Sequence, residues 1–81
     1  MSQWEKLLAR IRNHPKTVTF GELDKILQRA GYMRRQPRRG SSHYVYTKGA
    51  RILTVPKHSP YVKESYVKAA LRVLDEEGNE P

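Results

Sequence analysis

The chain has 81 residues, room for one small domain that hides only about 60% of its unfolded surface, which excludes a cofactor domain beside a substrate domain. Sixteen Lys and Arg against eight Asp and Glu give a net charge of +8, which favours a polyanion through counterion release. Cysteine is absent, which excludes disulfides and thiol chemistry. The first residues lack the basic start and apolar run of a signal peptide, and no apolar stretch nears the ~18 residues of a membrane span.

A soluble, cytoplasmic protein without a membrane partner is therefore expected. The first predicted element is a helix from Ser2 to Asn13. Ser2 and Glu5 have the spacing of a capping box, and Trp4, Leu7, Leu8 and Ile11 form one apolar stripe before Pro15 stops it. A second helix starts at Thr19, again boxed with Glu22. It buries Phe20, Leu23, Ile26, Leu27 and Ala30 and ends at Gly31.

From Tyr32 the period changes. Tyr32 to Gln36 reads as a short strand and Pro37 to Ser41 as a loop. Ser42 to Thr47, rich in aromatic and β-branched residues, reads as a second strand. Lys48-Gly49-Ala50 turns the chain into Arg51–Val55, which Pro56 closes. A last helix runs from Val62 to Glu76, with Val62, Tyr66, Val67, Ala70, Leu71, Val73 and Leu74 on its apolar face.

The order helix, helix, three antiparallel strands, helix predicts a two-layer α+β domain with the helices on one face of the sheet. It divides into an N-terminal helical extension (1–18), a core (19–76) and a tail (77–81) that frays. Asp75, Glu76 and Glu77 crowd a helix C-terminus, where acids are mildly unfavourable, and the sequence offers no reason for them beyond solubility.

The segment Arg34-Arg35-Gln36-Pro37-Arg38-Arg39-Gly40-Ser41-Ser42-His43-Tyr44 carries the candidate chemistry. Arginine forks match phosphate oxygens, Gly40 lets backbone approach a ligand, and an imidazole moves protons near neutrality. Those parts suffice to break an RNA backbone. The 2′-hydroxyl needs a base, the phosphoryl oxygens need positive charge, and the leaving 5′-oxygen needs an acid. Ser41 and Ser42 are better placed to position phosphate than to act as nucleophiles. Tyr44 and Tyr46 suit either base stacking or a core. His14, before Pro15, reads as a turn residue. No group of carboxylates and histidines has metal-ligand spacing, and no cofactor is called for.

Gly40-Ser41-Ser42-His43 opening an aromatic strand, followed by Val55-Pro56-Lys57-His58 before a closing helix, resembles the HicA toxin family. Phe20 to Tyr32 is similar to that family's first helix running into its first strand, so the likeness spans about Thr19 to Leu74. The resemblance implies a double-stranded-RNA-binding-like fold with two helices on a three-stranded antiparallel sheet, plus the extra N-terminal helix. It implies a ribonuclease acting on mRNA and silenced by a HicB-like antitoxin; with the residues above, the expected enzyme is a metal-independent endoribonuclease, monomeric when free.

On that reading His43 matches the catalytic histidine and His58 a possible second one. Arg34, Arg35, Arg38, Arg39, Gly40, Ser41, Ser42 and Lys57 hold the RNA. Two features depart from the family pattern. The Gly-Ser-Ser-His element is one residue longer than the commonest form, and about eighteen residues precede the core. That first helix either pads a small core or alters antitoxin docking and RNA access. The rival readings are a non-catalytic module binding duplex RNA by shape and phosphate contacts, and a helix-turn-helix DNA binder.

Overall fold

The computed structural model describes residues 2–35, 39 and 42–77. Helix α1 spans Gln3–Asn13 and α2 spans Phe20–Arg29. Strands β1 (Met33–Arg35), β2 (His43–Lys48) and β3 (Arg51–Pro56) precede helix α3 (Glu64–Glu76). The strands form one antiparallel sheet in the order β1-β2-β3, so the fold is α+β, as predicted.

Both capping boxes form. The Ser2 and Thr19 hydroxyls accept from the amides of Glu5 and Glu22, whose carboxylates accept the cap amides in return. At the end of α2, Gly31 takes φ +103°, a conformation that a Cβ disfavours. The boundaries move by a residue or two. Helix α3 begins at Glu64 rather than Val62, because the Val62 amide donates to the Val18 carbonyl at 2.8 Å and holds that stretch extended. Strand β3 extends to Pro56, opposite His43. The Gln36 end of the first predicted strand and residues 78–81 of the tail lie outside the described residues.

All three helices and one face of the sheet share a core built on Ile11, Val18, Leu23, Ile26, Leu27, Tyr46, Val55, Val62, Val67 and Leu74. Tyr46, in the middle of β2, is fully buried and Tyr44 is half-buried, its ring 4.9 Å from that of Phe20. Both tyrosines therefore serve packing. The other face of the sheet is uncovered: Met33, Thr47 and Ile52 face one another across the three strands, and Met33 and Ile52 are 72% and 71% exposed.

Polar links tie the layers. Asp24 of α2 accepts from the Tyr46 hydroxyl (2.7 Å), from Arg34 of β1 (3.2 Å) and from Gln28 (3.0 Å). The acidic cluster closing α3 is explained by tertiary partners. Asp75 takes a forked pair from Arg12 of α1, Glu76 pairs with Arg51, and Glu77 lies between Lys48 and Arg51. Lys48 also donates to the Ala30 carbonyl at 2.7 Å, capping the end of α2.

Two outcomes test this arrangement. Ile11 is fully buried, so Ile11→Ala should cost about 2–5 kcal/mol in urea unfolding, whereas a cost near zero would mean that α1 merely rests on the core. Burial first, and the Glu77 carboxylate second, push the Tyr32 phenol up to about 12. Burial and Asp24 raise that of Tyr46 as well. A phenol whose folded pKa lies above the unfolded value of 10.0 stabilises the fold fully below that pH and loses its contribution as pH climbs through the folded value. Thermal stability followed by circular dichroism should therefore fall steeply above about pH 10. A flat profile to pH 12 would contradict this assignment.

Candidate active site

His43 is the first residue of β2, a position set by the strand's alternation: Tyr44 and Tyr46 pack toward the helices and fix where the strand begins. It pairs in register with Pro56, and the Lys57 amide donates to the Ser42 carbonyl at 2.8 Å, which extends the ladder one step past the strands. The Ser42-His43 and Pro56-Lys57-His58 segments therefore lie side by side, although thirteen residues of sequence separate Ser42 from Pro56.

An open cleft of about 210 Å³ lies there, lined by Ser42, His43, Pro56, Lys57, His58, Lys63 and Tyr66. It joins the two histidines singled out in the sequence. The His58 Nδ1 lies 3.0 Å from the Tyr61 carbonyl oxygen. A carbonyl only accepts, so Nδ1 carries a proton and donates; in the neutral ring Nε2 is then left as the base. The Lys57 ammonium sits 5.7 Å from the Phe20 ring centroid, so α2 helps to set its position.

Lys63 and Tyr66 escaped sequence reasoning. Lys63 is the N-cap of α3 and makes no side-chain capping bond, so the positive end of that helix meets the cleft beside a lysine. The signal was weak but present: Pro60 just ahead of an apolar helix, with a lysine at its first turn.

The arginines separate. Arg34 faces Tyr46 in the register of β1, is bound to Asp24, and has its guanidinium 5.4 Å from the Tyr44 ring centroid. It thus braces the sheet against α2 and does not line the cleft. Arg35, opposite Val45, and Arg39 are exposed. Arg38, Gly40 and Ser41 lie outside the described residues.

Chemically, the cleft offers two imidazoles, two ammonium groups, a serine and a helix N-terminus around one small space. That set accepts a phosphate and can move protons on either side of it.

Searches of curated proteins and of solved structures each returned no match. A family model does match: HicA toxin of bacterial toxin–antitoxin, over residues 20–75. The matched span holds α2, the whole sheet, both histidines of the cleft and nearly all of α3, and leaves α1 outside it. The chain belongs to the HicA toxin family of bacterial toxin–antitoxin systems.

Proposed function

We propose that this toxin is an endoribonuclease that cuts mRNA in the cytoplasm with side chains alone, and that a HicB-like antitoxin neutralises it. The observation that carries the reading is the meeting of His43 and His58 in one cleft with Lys57 and Lys63. Membership of a toxin family and the net charge of +8 support a polyanionic target.

In the reaction one imidazole takes the proton of a ribose 2′-hydroxyl as that oxygen attacks the adjacent phosphorus. The bond from phosphorus to the 5′-oxygen breaks, and the second imidazole delivers a proton to the leaving oxygen. The products are a 2′,3′-cyclic phosphate and a 5′-hydroxyl. His43 performs one transfer and His58, held through Nδ1 by the Tyr61 carbonyl, the other. Lys57, Lys63 and the amides opening α3 balance charge on the phosphoryl oxygens. Ser42 orients the phosphate. Arg35, Arg38 and Arg39, with Gly40 and Ser41, hold flanking RNA, and Arg34 acts from behind by fixing Tyr44 and β1. The free protein acts as a monomer.

The test is cleavage of a defined single-stranded RNA in EDTA by wild type, His43→Ala and His58→Ala. Both substituted residues are exposed, so both variants should fold. Each should lose about 10²–10⁴-fold in rate while still binding RNA. Unchanged cleavage by His43→Ala would remove that residue from the chemistry. RNA bound but left intact by wild type would favour the non-catalytic binding module.

A further inference from the structure

A second recess lies away from His43. It is a groove of about 350 Å³ between α1 and α2, lined by Gln3, Trp4, Leu7, Lys25 and Arg29. Its position is a property of this chain, because α1 precedes the residues that match the family.

Two independent features mark it as a place for an anion. Lys25 and Arg29 stand four residues apart on α2, both exposed, and among the described residues neither has an acidic partner. Like charges at that spacing are mildly destabilising unless a counter-charge sits between them. The second feature is Trp4. The residue is 8% exposed, yet its indole Nε1, which can only donate, is buried with no acceptor. A buried donor without a partner is rare enough to need a reason, and a ligand oxygen supplies one. The other polar wall residues, Gln3, Lys25 and Arg29, are exposed and free to swing aside for it.

We propose that the α1–α2 groove binds a backbone phosphate of the RNA whose scissile linkage occupies the His43 cleft. This rests on the nuclease reading for the identity of the polyanion. Helix α2 connects the two places: its first residue, Phe20, carries Lys57 over its ring at the cleft. Lys25 and Arg29 follow five and nine residues later, about 7.5 and 13.5 Å along the axis. At about 100° per residue Lys25 and Arg29 also lie about 140° and 180° round the helix from Phe20. An RNA strand anchored at the cleft therefore reaches the groove by passing around α2, where the Leu7 and Trp4 wall gives apolar surface beside the phosphate. The N-terminal helix thereby lengthens the RNA track as well as completing the core.

Trp4 is the chain's one tryptophan, so its emission reports on the groove directly. The experiment titrates fluorophore-labelled single-stranded RNA at several salt concentrations, reading anisotropy and Trp4 emission. It uses the full chain, Lys25→Gln/Arg29→Gln, and the charge-matched control Lys16→Gln/Arg72→Gln. RNA should change Trp4 emission in the full chain and in the control. In the groove variant that change should vanish, affinity at low salt should drop roughly tenfold, and the salt slope should fall by about 0.7 relative to wild type, one phosphate contact on a single strand.

Equal affinity and slope in the groove variant and the control would overturn the proposal and leave the groove to an acidic protein partner. RNA that is bound with the Trp4 response but never cut would support the groove and sink the nuclease reading alone. Failure of the wild type to bind RNA would overturn both.

Discussion

The register of β2 is the constraint on which the rest depends. Tyr46 occupies the middle of the central strand, is fully buried, and spends its hydroxyl on Asp24 of α2. Side chains on a strand alternate faces, so a slip of one residue would turn Tyr46 to solvent and strand Asp24 and Arg34 without their partner. The same slip would carry His43 out of line with Pro56 and away from the Lys57-His58 segment. Packing at the centre of the strand thus aims the imidazole at its end, and a surface site on a small domain gains its geometry from the core.

The charges are arranged on the same frame. Most acids of this basic chain are spent on fixing elements: Glu22 holds Arg10 and the start of α2, Asp24 holds β1, and Asp75, Glu76 and Glu77 lash the end of α3 to α1 and the β2–β3 turn. Exposed pairs of this kind are each worth only about 0–1 kcal/mol, so their effect is orientation more than stability. What they leave behind is a set of cations without acidic partners among the described residues, including Lys25, Arg29, Lys57 and Lys63, distributed over a groove and a cleft on α2. The N-terminal helix has two parts in this. Ile11 joins the common core, and Gln3, Trp4 and Leu7 face the outer side of α2.

Features written within a few residues were legible in the sequence. Ser2 with Glu5 and Thr19 with Glu22 announce helix starts because both halves of each capping box sit three apart. The hairpin was legible from β-branched runs flanking Lys48-Gly49-Ala50, and the Gly-Ser-Ser-His and Val-Pro-Lys-His elements led to the family that the chain belongs to. What escaped depends on residues that only folding brings together. Arg34 looked like part of a basic run, yet its carboxylate is Asp24, ten residues back. Asp75 looked unexplained because its partner Arg12 lies 63 residues away. Lys63 and Tyr66 reach the cleft only because the Val62 amide is tied to Val18, which sets where α3 begins. The basic loop between Arg35 and Ser42, residues 36–41, keeps its meaning in sequence terms alone, with only Arg39 described within it.

The central claim is that two imidazoles drive attack by a ribose hydroxyl on its own phosphate. The most direct measurement compares an all-ribose oligonucleotide with its fully 2′-O-methylated counterpart, each incubated in EDTA with stoichiometric protein. The expected result is cleavage of the ribose strand alone, leaving 2′,3′-cyclic phosphate ends that mass spectrometry identifies. Cleavage of both strands, or products with a 5′-phosphate, would contradict it.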